Sequence, residues 1–164
     1  LFRSAAAGRL AGDLARVAEA LAGPRPAPAY HLTFGGFDTH ARQAQTHAAL
    51  LGELGAALHE FQTTLRRAGR ADSVLTMVYS EFGRQLAENG TRGTDHGTAG
   101  PVFLLGGGVE AGLFGAAPDL DALEAGQLRP TVDFRQVYAT VLERWYGLAA
   151  RPVLGEGYDL VRCL

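Results

Sequence analysis

The run Ser73-Val-Leu-Thr-Met-Val-Tyr79 is apolar almost throughout and breaks at once into Ser80-Glu81-Phe82-Gly83-Arg84. A short apolar run without polar alternation reads as a strand buried on both faces. Two more runs read the same way. Tyr30 to Phe34 (YHLTF) leads directly into Gly35-Gly36-Phe37-Asp38-Thr39-His40, and Pro101 to Leu105 (PVFLL) ends at Gly106-Gly107-Gly108. Around these runs the apolar period becomes helical. Ser4 to Leu21 spaces Leu10, Leu14, Val17 and Leu21 along one face, stopped by Gly23-Pro24-Arg25-Pro26. Ala41 to Ala68 repeats Leu50, Leu54, Leu58, Phe61 and Leu65 every three or four residues, with Gly69 closing it. Thr131 reads as a helix N-cap with Asp133 in the first turn, before the stripe Val137, Tyr138, Val141, Leu142 and Trp145. Val109 to Leu128 is turn-rich and reads as loop with a short strand at most.

Apolar strands alternating with helices predict an α/β fold: one layered domain over residues 1–164, with a largely parallel sheet flanked by helices. In such a sheet ligands bind beyond the carboxyl ends of the strands, where the loops converge. Acidic residues follow two of the three strands, and Asp95-His96 lies in the loop between the second and third.

Composition removes several function classes. The chain has 164 residues, 47% hydrophobic and 20% charged, as a globular domain does. The net charge is -2 and no basic stripe is present, which argues against a nucleic-acid partner. No apolar run approaches the ~20 residues a transmembrane helix needs. All fifteen basic residues are Arg, which reads as genomic GC bias. The single Cys163 can form no internal disulfide and lacks the sequence context of a thiolate nucleophile. Gly106-Gly107-Gly108 lacks the Gly-Lys-Ser/Thr of a phosphate-binding loop, and no Gly-x-Ser-x-Gly elbow occurs. The chain opens without Met or a signal peptide in a helix-like stretch, Leu1 to Ala22, and reads as part of a longer protein.

Three groups of residues can carry chemistry. Asp38 and His40 offer an oxygen and an imidazole nitrogen, ligand types that suit zinc, manganese or iron. The competing role is Asp38 as a cap of the next helix with His40 in its first turn. Asp95 and His96, adjacent in a Gly-rich loop, can serve neighbouring metals, or one metal and its outer shell. The alternative is a solvated turn. Glu81, at a strand end, can be a ligand or general base, and Arg84 can hold an anionic oxygen. Their alternative is an ion pair across one turn. His31 reads as a core or edge residue, His59 as surface, and His47 as sharing a face with His40 if the helix begins early.

The stretches Leu32 to His40, Tyr79 to Arg84, Asn89-Gly90, Gly93 to Gly97 and Pro130 to Trp145 resemble, in order, the bacterial family of unknown function numbered 1501. The resemblance runs over about the whole chain. That family is similar in fold to the alkaline phosphatase and sulfatase superfamily, often carries a twin-arginine export signal, and is typically longer than this chain. The resemblance therefore implies the C-terminal part of an alkaline phosphatase-like domain, exported to the periplasm or cell envelope. It also implies a divalent metal, with Asp38 and His40 as one half of the ligand set and Asp95 and His96 as the other. Glu81 would be ligand or base and Arg84 an anion clamp. The substrate class would be a phosphate or sulfate ester, small or polymeric. The superfamily nucleophile belongs to an upstream segment, so this chain alone is expected to be inactive. The other function class is a non-catalytic envelope binding or assembly protein that keeps the fold.

Overall fold

The helical spacing of Leu10, Leu14 and Val17 builds α1 (Leu10–Ala22), and that of Ala57, Phe61 and Leu65 lies on α2 (Gln43–Arg67). These six side chains form one buried cluster in the computed structural model, which describes residues 10–164. The start of the predicted first helix, residues 4–9, lies outside the described residues. Leu65 is 1% exposed, and burying a side chain of this size contributes about 1.5–3 kcal/mol. α1 ends at Ala22, before Pro24, as Pro dictates. The end of α2 is fixed by Gly69 at φ 65: its N–H donates to the Arg66 carbonyl and the Arg70 N–H to that of Leu65. This pairing satisfies carbonyls a helix end leaves open, and the left-handed residue it requires is cheapest as glycine.

The described chain forms two compact units. The first closes at Val74 and takes in Ala87–Asp95; the second comprises Leu75–Leu86 and His96–Leu164. In the first unit Tyr30, Leu32 and Phe34 pack on the helix pair, while His31 and Thr33 between them are exposed. The period of two is that of an extended chain laid along the helices.

The largely parallel, alkaline phosphatase-like layered sheet expected from the sequence is not what the described chain forms. Four short strands make two antiparallel two-stranded sheets, both in the second unit. β1 (Leu75–Val78) pairs with β4 (Phe103–Gly106), Leu75 opposite Gly106 and Val78 opposite Phe103. β2 (Gly83–Arg84) pairs with β3 (His96–Gly97), Gly83 opposite Gly97 and Arg84 opposite His96. Parallel neighbours need a crossover element between them, and residues 79–102 contain no helix. The third expected strand, Tyr30 to Phe34, joins no sheet among the described residues, because its apolar side chains are spent on the helices. An apolar run reports burial, and burial alone does not specify a strand partner.

The second unit closes with α3 (Phe134–Thr140), a π-helical turn (Val141–Trp145) and α4 (Arg151–Leu154). The cap of α3 is Asp133, not Thr131: its carboxylate accepts from the Arg135 N–H while Gln136 reaches back to the Asp133 N–H. Arg135 also binds this carboxylate, which holds it down at about 2. Ala139, Thr140, Ala150 and Cys163 are buried, and the Thr140 hydroxyl accepts from the Val161 N–H. No helix among the described residues is long and apolar enough to cross a membrane.

Candidate functional site

Asp38 and His40 flank Thr39, whose side chain is buried and whose N–H donates to the Phe37 carbonyl at 2.8 Å. With Thr39 tucked in, the residues on either side of it are exposed. The turn depends on Gly36 at φ 99, where a Cβ would lie 3.2 Å from the Leu50 side chain. α2 starts only at Gln43, with Arg42 at the cap in left-handed backbone (φ 47) and no side-chain cap bond. Asp38 therefore does not cap this helix, and His40 lies outside its first turn. His47, in the second turn of α2, meets Phe37 edge-on at 5.7 Å.

The first N–H groups at this helix end are satisfied by another segment. Arg42 N–H donates to the Thr91 carbonyl (3.0 Å) and Gln43 N–H to that of Arg92 (2.9 Å). Arg92 also has positive φ, 60°. Two left-handed non-glycine residues side by side are a local cost that surrounding structure must hold, and such strain clusters at functional sites. Gly93 lets the segments meet: a Cβ there would stand 2.3 Å from the His40 carbonyl group. The loop that follows ends in Asp95.

The clamp brings both carboxylates to His40. Its Nε2 is 2.9 Å from Asp38 Oδ1 and its Nδ1 is 3.3 Å from Asp95 Oδ1. The three side chains are 47%, 66% and 59% exposed, so solvent screens their attraction and stability alone gives little reason for the arrangement. A neutral imidazole donates from one nitrogen only; the other nitrogen then faces an oxygen lone pair to lone pair. Positive charge at that edge removes the conflict, carried either by a second ring proton or by a metal cation. Ligand atoms around a divalent ion at ~2.0–2.2 Å stand roughly 2.8–3.6 Å apart, and the 2.9 Å between Nε2 and Asp38 Oδ1 falls within that spacing. The donor set thus fits a divalent metal.

Within the second unit, His96 stacks on Phe82 (centroids 3.9 Å apart, planes 7° from parallel), and the Arg84 guanidinium carbon lies 5.0 Å from the centre of the same ring. The β2–β3 pairing that sets these residues opposite each other needs its glycines. A Cβ on Gly97 would stand 2.7 Å from the Arg84 backbone, and one on Gly83 1.7 Å from the Ala99 carbonyl oxygen. Glu81 is exposed on the bend between β1 and β2. Cys163 is buried and burial pushes its thiol up, away from the reactive thiolate.

The structure thus brings Asp38, His40 and Asp95 together in the first unit and pairs Arg84 with His96 in the second. Asp95 is tied into the clamp and His96 into a strand, so neither is a plain solvated turn. Residue patterns alone assign no role to Asn89, Thr91 or Phe82, although Asn89-Gly90 and Phe82 stand in the recurrent motifs. A protein-family model described as "Protein of unknown function (DUF1501)" matches residues 25–155. The chain belongs to that family. No curated protein and no solved structure matches it. The DUF1501 match takes in every site residue named above, and its description assigns no activity, so the chemistry rests on the side chains.

Proposed function

We propose that the protein binds a divalent cation, zinc, manganese or iron by ligand chemistry, through Asp38 and the Nε2 of His40. Asp95 fixes the ring by accepting from Nδ1–H, in the carboxylate–histidine–metal arrangement that sets the tautomer and raises ligand basicity. His96, the residue bonded to Asp95, is proposed to complete the protein ligands. The observation that carries this reading is the pair of carboxylates at 2.9 and 3.3 Å on the two nitrogens of one exposed imidazole.

The proposed work of the site is hydrolysis of an anionic phosphate or sulfate ester by an exported, longer protein, as the family resemblance implies. A bound divalent ion supplies positive charge for an ester oxygen. Arg84 would hold a second anionic oxygen through its planar donors, and Glu81 would take or give the proton or add a ligand oxygen. The exposed ligands leave an ion open to substrate, as catalytic rather than structural sites do.

Elemental analysis and zinc or manganese titration test the binding. About one equivalent in the parent protein, lost in His40→Ala and in Asp38→Ala, supports it; no uptake by the parent removes it. Turnover is tested on aryl phosphate and sulfate esters with a protein extended upstream of Leu1. Chelator-sensitive hydrolysis restored by one metal supports the enzyme. Metal binding without turnover supports the envelope binding role instead.

A further inference from the structure

The clamp that assembles the site has a single side chain at its hub. The Asn89 amide nitrogen donates to the His40 carbonyl (3.0 Å) and to Asp95 Oδ1 (3.3 Å), the same oxygen that faces His40 Nδ1. Its amide oxygen accepts from the N–H groups of Thr91 and Gly93, both at 3.0 Å, and from the Thr91 hydroxyl at 2.8 Å. The Thr91 hydroxyl also contacts the His40 carbonyl. The Asn89 backbone N–H closes the loop on the Gly93 carbonyl at 2.8 Å. One amide therefore orders the 89–93 loop through its oxygen and, through its nitrogen, ties that loop to the backbone of one site residue and the carboxylate of another.

No other neutral side chain of this size offers both halves at that reach. Asp has the oxygen without the donors; Ser or Ala has neither the length nor the pair of functions. We infer that Asn89 is the positioning residue of the site, setting Asp95 against His40 without itself holding a ligand. The inference rests on the metal reading for its consequence and on the clamp geometry for its cause, and the two can be separated.

Two measurements on the full chain test it. In Asn89→Ala zinc affinity falls at least tenfold, the usual cost of removing an outer-shell partner. Hydrogen exchange at the Arg42 and Gln43 amides, read without metal, accelerates as the clamp opens. Leu58→Ala, which loosens the helix core of the same unit, controls for general destabilisation and leaves zinc affinity within about twofold. If Asn89→Ala yields too little folded protein, Asn89→Asp serves: it keeps the acceptor for Thr91 and Gly93 and loses the donor, so Gly93 stays protected while Arg42 and Gln43 do not. Unchanged exchange at Arg42 and Gln43, or equal affinity losses in Asn89→Ala and Leu58→Ala, overturns the assignment. A parent protein that takes up no zinc while these amides respond as stated overturns the metal reading and upholds the role of Asn89.

Discussion

At the scale of single residues, Gly93 is the tightest point of the clamp between the 89–93 loop and His40. A methyl group there would stand 2.3 Å from the carbon and oxygen of the His40 carbonyl, which are backbone atoms and cannot swing aside. Gly93→Ala must therefore separate the two segments whose amides and carbonyls pair at Arg42 and Gln43. The expected cost is about 1–3 kcal/mol, the range for forcing volume into packed structure. Zinc affinity should fall with it, since Asp95 moves with the loop. Gly90, where a Cβ meets nothing within 4 Å, provides the contrast: Gly90→Ala should be near neutral in denaturant midpoint and in zinc titration. Of this scale the sequence shows the ligand types but not the clamp. Asp38, His40 and Asp95 are readable as donors because carboxylate and imidazole are what metals take. Asn89 is not, because its value lies in what its amide reaches 49 residues back at His40, and no local pattern encodes such a separation.

At the scale of elements, the helices were legible and the sheets were not. The α2 stripe runs through Leu50, Phe61 and Leu65 as the spacing predicts, and Gly69 ends it because a helix terminus is a local event. Leu65→Ala should cost about 2–5 kcal/mol in urea unfolding, a truncation at a position with almost no exposure. Strand pairing depends on residues far apart in sequence. Val78 and Phe103 meet across a 24-residue connection whose helix content decides between parallel and antiparallel. The cap of α3 carries a pH prediction of its own. The Asp133 carboxyl is held at about 2 against 3.8 for the free group, first by Arg135 and then by the Arg135 N–H. A depressed carboxylate stabilises the folded form fully above pH 3.8, and the contribution disappears as pH falls towards 2. Acid unfolding followed by circular dichroism should therefore begin at higher pH in Asp133→Ala than in the parent. Asp133→Asn should lie between them, since Asn still caps but forms no ion pair. Added salt should narrow the differences, because these groups are at the surface. Three curves that coincide would remove the cap from any role in acid stability.

At the scale of the whole molecule, the chain leaves the first unit after Val74, returns for Ala87–Asp95 and leaves again at His96. The Asp95–His96 bond thus joins the two units, and if the proposed cation takes His96 as a ligand its binding would couple their stabilities. The two units can be followed separately. The long helices α1 and α2 belong to the first, whereas the protein's one tryptophan, Trp145, belongs to the second. A ligand that binds only folded protein at a hundred times its Kd stabilises by about 2.7 kcal/mol, enough to move a melting curve by several degrees. If Asp38 and His40 hold zinc alone, zinc raises the midpoint seen by helical circular dichroism and leaves Trp145 fluorescence unmoved. If His96 completes the set, both midpoints rise, and chelator returns both. His96→Ala should then keep part of the helical shift and lose that of Trp145, while His40→Ala should lose both. Zinc that shifts neither signal in the parent would leave the three exposed side chains around His40 as a hydrogen-bonded surface cluster, with no cation to hold.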